Sequence, residues 1–330
     1  MVTLGIIGFG GIAKSSIHMG EIKNRRDCFV KAVADVNVNE EAVKEFKIPE
    51  FYNDYKKLLE DPTIDAVLIA TPHHLHEEQA VAAFQAGKHV LIEKPISRNL
   101  KEAQNIVDAA KQAGKIGMIG FCERFDPKHA DMKQRVKSGQ LGEILSVRTD
   151  HYQNFCVGGN SWWRDADKVG GGAVIGSGIH RLDLLRWMVG DIAKVYASAV
   201  NMPERMDAET CVHAVLEFKN GAVGNFSINW ASYNFLYYEG LSISGKDGLI
   251  VARDNPYVYK MGRFDDNNGV LKDLSVPAYQ TMYDHFLDCI QKNRTPMTSL
   301  EEGYKSLQVV RAIYKSIEIG APVIVDEVDF

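Results

Sequence analysis

The segment Gly178-Ile179-His180-Arg181-Leu182-Asp183 contains a histidine and an aspartate whose spacing suits proton chemistry. It begins a predicted helix, and His180 and Asp183, three residues apart, would share one face of that helix. A histidine can take a hydroxyl proton near neutral pH because its unperturbed pKa is about 6.5. A buried helix histidine bonded to its neighbour would show the same local pattern, so the residues alone leave both interpretations open.

Lys94 is a second candidate for chemistry, in the segment Glu93-Lys94-Pro95. The segment comes just after the fourth predicted strand, and open α/β sheets bind ligands at the carboxyl ends of their strands. An ammonium group there could hydrogen-bond a reacting oxygen and stabilise its alkoxide character. The alternative for an isolated lysine is a solvent-exposed charge, which is the usual case.

A glycine-rich segment directly after the first predicted strand could bind a nucleotide. Residues 8–13 read Gly-Phe-Gly-Gly-Ile-Ala and match the G-x-G-x-x-(G/A) pattern. In that pattern Gly8 permits a tight turn, Gly10 lets the backbone approach a pyrophosphate, and Ala13 allows helix and strand to pack closely. The N-terminus of the next helix would offer N–H groups to the anion. On the glycines alone, a turn of another α/β fold fits equally well.

Asp35 favours the nucleotide interpretation and indicates the cofactor. It follows the second predicted strand, Val30–Ala34, where a carboxylate can accept hydrogen bonds from both ribose hydroxyls of an adenosine. The next residues, Val36–Asn39, include no arginine or lysine to neutralise a 2′-phosphate, and Asp35 itself would repel one. The sequence therefore predicts NAD, with NADP less favoured.

In the first 121 residues, apolar runs alternate with helical patterns, which predicts a parallel sheet. This sheet would position the glycine segment, Asp35 and Lys94. The predicted strands are Leu4–Ile7, Val30–Ala34, Ala66–Ala70, His89–Ile92 and Ile116–Ile119. Helices are predicted over Leu75–Ala86 and Leu100–Ala113, with Gly87 and Gly114 at their C-caps. Alternation of this kind is typical of a doubly wound Rossmann domain.

After about residue 140, runs rich in valine, tyrosine, phenylalanine and isoleucine predict strands. They are Ile144–His151, Lys194–Val200, Val212–Lys219, Val223–Trp230, Gly240–Ser244 and Leu249–Ala252. Asn220-Gly221 and Asp247-Gly248 predict hairpins, and helices are predicted over Ile179–Met188 and Leu300–Ile319. We therefore predict an α/β protein with an NAD-binding domain over 1–121. The second domain, 122–330, is predicted to be α+β with a large, mostly antiparallel open sheet, and we expect this domain to bind substrate and to mediate oligomerisation.

The composition excludes several other classes of protein. The chain has 330 residues, 38 basic and 43 acidic side chains and a formal charge of −5, without a basic block, so we expect no nucleic-acid partner. It has no run typical of a signal peptide or a membrane span, which predicts a cytoplasmic protein with no membrane partner. A sheet face uncovered by predicted helices indicates a homo-oligomer, a dimer or a tetramer.

Further motifs, in order along nearly the whole chain, make it resemble the glucose–fructose oxidoreductase/inositol dehydrogenase/rhizopine-catabolism (Gfo/Idh/MocA) family. Besides the glycine segment they are Ala70-Thr71-Pro72-His73-His74-Leu75-His76, Glu93-Lys94-Pro95, Gly120-Phe121-Cys122-Glu123-Arg124-Phe125, Trp163-Arg164, Gly170-Gly171-Gly172 and Gly178–Asp183. The resemblance implies that His180 is the catalytic base, that Lys94 faces the substrate, and that Asp183 binds substrate. In the family the bond between this lysine and the following proline is commonly cis. The expected cofactor-binding residues are Gly8, Phe9, Gly10, Gly11, Ile12, Asp35, Thr71, Pro72, His76, Glu93, Lys94, Arg124, Trp163 and Arg164.

Two further residue groups have weaker assignments. Tyr279 is an expected substrate contact because a tyrosine hydroxyl and ring suit a sugar, although strand tyrosines ordinarily serve packing. His73, His74 and His76 could suggest zinc, but no cysteine or carboxylate completes the spacing. We expect no metal.

The chain departs from the family at Gly176. Many family dehydrogenases carry an aspartate four residues before the histidine, where it assists proton transfer or holds the imidazole. A glycine supplies no carboxylate, and the adjacent Ser177 is a poor substitute. Either His180 works with Lys94 alone, or another acid fills the space, or the chemistry is not the usual dehydrogenation.

The leading hypothesis is an NAD-dependent oxidoreductase that transfers hydride between the nicotinamide and a secondary alcohol or ketone of a sugar, inositol or related polyol. One alternative is a redox-neutral, NAD-dependent enzyme that oxidises a sugar transiently and eliminates or cleaves a neighbouring bond. The other is a non-catalytic NAD- and sugar-binding regulator, which Gly176 favours and the retained Lys94, His180 and Asp183 oppose.

Overall fold

The computed structural model describes residues 1–37, 40–155, 161–231, 238–253 and 280–328, which divide into two compact units. The first unit comprises Met1–Cys122 and Gln280–Tyr304, and the second comprises Glu123–Tyr279 and Lys305–Phe330. The predicted domains, 1–121 and 122–330, differ from these units mainly in residues 280–304. That segment returns to the first unit because it hydrogen-bonds beside the last parallel strand: the Ile119 N–H donates to the Thr298 carbonyl at 2.8 Å.

The first unit contains a six-stranded, fully parallel sheet in the order β3-β2-β1-β4-β5-β6. Its strands are β1 (Val2–Ile7), β2 (Cys28–Ala34), β3 (Glu50–Tyr52), β4 (Ala66–Ile69), β5 (His89–Ile92) and β6 (Gly117–Ile119). Five of them were predicted, and β3 was not. The strand order reverses at β1, which lies between β2 and β4, and such a switch point is where open α/β sheets bind ligands.

The α-helices of the described residues, in order, are α1 (Gly11–Lys14), α2 (Met19–Ile22), α3 (Glu40–Glu45), α4 (Tyr55–Leu59), α5 (His76–Gln85), α6 (Leu100–Ala113), α7 (Pro127–Lys137), α8 (Ala166–Val169), α9 (Ile179–Val189), α10 (Met282–Lys292) and α11 (Leu300–Ile319). The predicted bounds of α6 and α11 are confirmed to the residue. Of the helices that the structure describes, none combines the length and the apolar character needed to cross a membrane.

The second unit contains a seven-stranded sheet in the order β12-β11-β7-β10-β9-β8-β13. Its strands are β7 (Ile144–Tyr152), β8 (Ile192–Val200), β9 (Cys211–Phe218), β10 (Val223–Asn229), β11 (Tyr238–Gly245), β12 (Gly248–Arg253) and β13 (Val323–Ile324). Only the pairing of β7 with β10 is parallel among these strands, so the predicted mostly antiparallel sheet is confirmed. Both predicted hairpins are present, β9 with β10 and β11 with β12.

The two faces of this second sheet differ in burial. Along β9 the side chains alternate strictly, with Val212, Ala214 and Leu216 buried and the residues between them more exposed. Apolar side chains remain on the exposed face, where Val215 is 51% and Val223 50% exposed. One face of the sheet therefore packs into the core of its unit, and the other exposes apolar side chains among polar ones.

Candidate functional site

The glycine segment after β1 has the geometry of a turn that a ligand approaches closely. Gly8 adopts φ +88°, and a Cβ there would lie 2.7 Å from the Ala70 carbonyl oxygen, so only glycine fits. A Cβ built on Gly10 or Gly11 would meet no atom within 4 Å among the described residues. Protein packing therefore does not demand glycine at these two positions, whereas the close approach of a pyrophosphate would. The turn fits the expected nucleotide.

The helix that follows the glycines is short. α1 is a single turn, and the Ser15 N–H bonds to the Ile12 carbonyl at 3.1 Å where the chain leaves the helix. A macrodipole sums over aligned peptide units, so one turn contributes little to anion binding. The nucleotide assignment therefore depends on the open glycine backbone. The Ile12 side chain, 40% exposed, lies on the same turn.

Asp35 follows β2, as predicted, and supports the glycine turn. Its Oδ2 accepts the Phe9 N–H at 2.7 Å and its Oδ1 accepts the Asn37 N–H at 2.9 Å. Each carboxylate oxygen can accept a second hydrogen bond, so these contacts leave room for ribose hydroxyls. The Phe9 side chain itself is buried and packs on Phe46. Ribose binding by Asp35 stays a prediction.

Glu93 anchors the segment that carries Lys94. The Lys94–Pro95 peptide bond is cis, and the Glu93 side chain accepts the Lys94 N–H at 3.2 Å. Its other oxygen lies 2.8 Å from Nε2 of His18. Burial alone would raise the pKa of Glu93, but the hydrogen bond and charge of His18, with the charge of Lys94, outweigh burial and lower it. Glu93 is therefore a buried carboxylate in a fixed position beside Lys94 in the chain.

His18 and Tyr283, neither of which was predicted as a site residue, extend this network. The His18 ring is fully buried, and its Nδ1 lies 2.9 Å from the Tyr283 hydroxyl. Burial raises the pKa of Tyr283 well above its usual value, so the phenol stays neutral. An isolated histidine and a tyrosine 265 positions apart give no local signal of pairing. Together with Glu93 they form a carboxylate–imidazole–phenol network in the first unit.

His76 joins the loop after β4 to the loop after β5. It is fully buried, with one ring nitrogen 2.9 Å from the Pro95 carbonyl and the other 2.9 Å from the Thr71 carbonyl. Burial lowers the pKa of His76. The Thr71 hydroxyl donates to Gln79 at 2.6 Å, and Pro72 precedes the next helical turn. Cofactor contact by these residues stays a prediction, and no group of three or more potential metal ligands occurs in the described ranges.

Arg124 and Asp183 form a buried ion pair in the second unit. Nε and Nη2 of Arg124 each lie 2.7 Å from an Asp183 oxygen, and the Ser306 hydroxyl donates to the same carboxylate at 3.0 Å. Both side chains are 2% exposed. Side chains of the protein therefore engage both oxygens of Asp183. The substrate role of Asp183 and the cofactor role of Arg124 stay predictions. Their buried ion pair also gives the two residues a structural role.

His180 lies just after an irregular helical turn. The helix begins at Ala173, passes through a π-helical turn over Val174–Gly178 and continues as α9. A π-turn adds one residue to an α-helix and changes the direction of the side chains after it, and such turns are frequent at functional sites. The His180 side chain is half-exposed, unlike the buried Asp183. His180 is therefore accessible to a ligand or to solvent.

Trp230 occupies the space beside Gly176. A Cβ on Gly176 would lie 2.6 Å from Cζ2 of Trp230 and 3.3 Å from Cζ3 of Trp163. The Trp230 side chain is 2% exposed, and its Nε1–H donates to the Ser177 hydroxyl at 2.6 Å. Gly176 is thus required by packing, and its place in the π-turn leaves no room for the aspartate that many family members carry.

Trp163 packs beside this turn in the second unit, and Arg164 follows it in the chain. Trp163 stacks on Trp162 with ring centroids 4.3 Å apart and meets Trp230 edge-on at 6.0 Å. Arg164 donates from Nη2 to the Pro203 carbonyl at 3.1 Å. Their predicted cofactor contacts stay predictions. Tyr279, the expected substrate contact, lies outside the described residues.

Two family profiles cover nearly the whole chain. "Oxidoreductase family, NAD-binding Rossmann fold" matches residues 2–121, and "Oxidoreductase family, C-terminal alpha/beta domain" matches residues 133–325. The chain belongs to the Gfo/Idh/MocA oxidoreductase family. The family resemblance, the fold class and the NAD-binding Rossmann domain predicted from the sequence are confirmed.

Similar proteins extend over the full length of the chain. Myo-inositol 2-dehydrogenase of Thermotoga maritima is 29% identical over 344 aligned positions, covering 98% of this chain and 99% of that protein. Levoglucosan dehydrogenase of Pseudarthrobacter phenanthrenivorans is 28% identical over 327 positions, covering 89% and 82%. A levoglucosan dehydrogenase structure in complex with NADH and L-sorbose matches with a TM-score of 0.88 at 25% identity over 99% of each chain.

Proposed function

We propose that this Gfo/Idh/MocA protein is an NAD-dependent dehydrogenase or reductase acting on a secondary alcohol or ketone of a sugar, inositol or related polyol. The observation that carries the proposal is the half-exposed His180 on its π-turn, in a family whose similar members are named inositol and sugar dehydrogenases. The retained Lys94 adds a cation for the reacting oxygen.

In the proposed reaction His180 takes the hydroxyl proton and Lys94 hydrogen-bonds the same oxygen as it gains alkoxide character. NAD, when bound, supplies the hydride acceptor or donor. The glycine turn at Gly8, Gly10 and Gly11 would hold its pyrophosphate, and Asp35 would hold its adenosine ribose. The cis Lys94–Pro95 segment is fixed in place by Glu93, so Lys94 starts from a defined backbone position.

The alternatives receive less support. Similar proteins include sugar and inositol dehydrogenases and an anhydrofructose reductase, which favours net hydride transfer over a redox-neutral reaction. A pure regulator would have no need of both Lys94 and a half-exposed His180.

Self-association is a further part of the proposal. The exposed face of the second sheet presents Tyr196, Val215 and Val223, and apolar surface of this kind is usually buried against another subunit. We expect a homo-oligomer, measured by light scattering coupled to size exclusion. A cytoplasmic location remains a prediction of the sequence.

The test is a spectrophotometric screen of NAD reduction over inositols, aldoses, anhydrosugars and glycosides. On the best substrate, Lys94→Ala and His180→Ala should each lower kcat by about 10²-fold or more, because general acid–base catalysis contributes about that much. NADH affinity, followed by fluorescence, should stay within a few-fold. Lys101→Ala and His213→Ala, both at exposed positions, serve as matched controls.

Two results would contradict the proposal. Full activity of His180→Ala on the best substrate would show that another group is the base. Absence of any absorbance change across the panel, with NADH still bound, would favour the redox-neutral or regulatory alternative.

A further inference from the structure

The motif Gly170-Gly171-Gly172 has no part in the proposed chemistry, yet its surroundings require glycine. Gly171 adopts φ +141°, and a Cβ there would lie 2.5 Å from Cζ of Tyr314. A Cβ on Gly172 would lie 2.6 Å from Oε2 of Glu209. The side chains of Tyr314 and Glu209 thus contact the backbone just before the helix that carries His180.

These side chains satisfy the backbone at the start of that helix. Oε1 of Glu209 accepts the Val174 N–H at 3.0 Å and the Tyr314 hydroxyl at 2.9 Å. The Tyr314 oxygen in turn accepts the N–H groups of Gly172 and Ile175, each at 3.2 Å. The first N–H groups of a helix have no carbonyl partner within the helix, so an outside acceptor must take them. Glu209 and Tyr314 provide it.

We propose that Glu209 and Tyr314 are positioning residues for His180: they fix the first turn of its helix and, through the π-turn, the place of the imidazole. The proposal rests on the proposed function, in which His180 is the base. Neither residue need touch the substrate. Their role is to accept hydrogen bonds from the first N–H groups of the helix, which have no partner within the helix.

The hydrogen-bonding oxygen of Glu209, more than its charge, performs this role. Burial raises the pKa of Glu209 to about 7, although the hydrogen bonds from Val174 and Tyr314 oppose the rise. Arg311 also lies near Tyr314: its guanidinium is 5.4 Å from the centroid of that ring, and its Nη1 donates to the Gly170 carbonyl at 3.3 Å. A protonated Glu209 still has a carbonyl oxygen that can accept the Val174 N–H. An amide at this position should therefore replace the carboxyl.

The experiment compares Glu209→Ala, Glu209→Gln and Tyr314→Phe with the parent enzyme on the best substrate. We expect Glu209→Ala and Tyr314→Phe to lower kcat by about tenfold or more, because small displacements of a catalytic group are costly. The KM for NAD should stay within about twofold in both. Glu209→Gln should recover most of the lost kcat. Matched controls are Glu217→Ala, exposed on β9, and Tyr304→Phe, in α11.

Backbone amide exchange of the segment 172–176, measured by mass spectrometry on the same folded proteins, tests the capping separately. Exchange should accelerate in Glu209→Ala and Tyr314→Phe and stay near parental in Glu209→Gln. Parental kcat in both disruptive variants, or a Gln variant as impaired as the Ala variant, would overturn the positioning role. If His180→Ala keeps full activity, the base assignment fails, and unchanged exchange in the variants would in addition refute the capping itself.

Discussion

Replacing Gly176 with aspartate restores the residue that many family members carry, and we expect the single variant to be destabilised. The new Cβ would lie 2.6 Å from Cζ2 of Trp230, far inside van der Waals contact. The indole cannot move cheaply: it is 2% exposed, is bonded to Ser177 and packs on Phe155 with ring centroids 4.3 Å apart. The turn must therefore shift to admit the side chain.

The expected loss of stability of Gly176→Asp is the sum of three contributions. Overpacking a filled core costs about 1–3 kcal/mol, and a polar group buried without good partners adds about 1–3 kcal/mol. Replacing a helical glycine returns at most about 1 kcal/mol. We expect a net loss of about 3 kcal/mol, which at about 2–4 °C per kcal/mol lowers the melting temperature by roughly 6–12 °C.

A second substitution separates packing from charge. Gly176→Ala introduces the same Cβ without the carboxylate and should show the overpacking part alone. Trp230→Leu opens space beside position 176, and alone it should lower the stability by about 3 kcal/mol because it leaves a cavity. The double variant Gly176→Asp/Trp230→Leu should be more stable than the two single losses predict, with a coupling of about 1 kcal/mol or more.

The assay is urea unfolding of the parent and the four variants, followed by pH profiles of the active ones. In the double variant a carboxylate four residues before His180 should move the rising limb of activity to higher pH, because a nearby negative charge raises the pKa of an imidazole. Parental stability of Gly176→Asp, together with zero coupling to Trp230→Leu, would refute the steric reasoning.

Two further changes test other parts of the structure. Asp35→Ser combined with Val36→Arg should weaken NAD and admit NADP in cofactor titrations, and tighter NADP binding by the parent would contradict the assignment of Asp35. Burial, reinforced by the charges of Lys128 and Arg181, lowers the pKa of His129 to about 3, so the unfolded state binds more protons below about pH 6.5. The free energy of unfolding therefore falls by about 2 kcal/mol between pH 7 and pH 5 because of His129 alone. His129→Asn should remove this pH dependence, which urea unfolding at pH 7 and at pH 5 would measure.

Elements with local signals were predictable from the sequence. The bounds of α6 were predicted to the residue because the 3.6-residue apolar spacing is clear and Gly114 takes the left-handed conformation at its end, with φ +61°. At its start the Asn99 side chain accepts the Glu102 N–H at 2.9 Å. The β9–β10 hairpin was equally accessible because Asn220-Gly221 favours a tight turn.

Elements that depend on distant partners were not predictable in the same way. β3 has only three residues and gains its hydrogen bonds from β2. The parallel pairing of β7 with β10 joins strands whose first residues are Ile144 and Val223, and no local pattern specifies it. α10 is a different case: it was not predicted, although Thr281 and Asp284 form a capping box that is visible in the sequence.

The same distinction applies to the candidate site. Motifs placed Lys94 after β5 and His180 at the start of α9, since both positions follow from the order of elements. The partners of the site residues come from far along the chain: Glu93 pairs with His18 across 75 positions, and Arg124 with Asp183 across 59. Such pairs depend on tertiary packing, which a single sequence does not encode in its spacing.

The packing of Trp230 explains why this chain has glycine at position 176 where many family members have aspartate. An aspartate before the histidine would compete with the indole for one volume, and the indole is bonded to Ser177 inside the same π-turn. The aromatic ring therefore stabilises the turn without a carboxylate. In the proposed mechanism position 176 therefore offers no carboxylate to the imidazolium that forms when His180 takes the proton. In the same proposal the helix that carries His180 keeps its place through Glu209 and Tyr314, which accept N–H groups at its start.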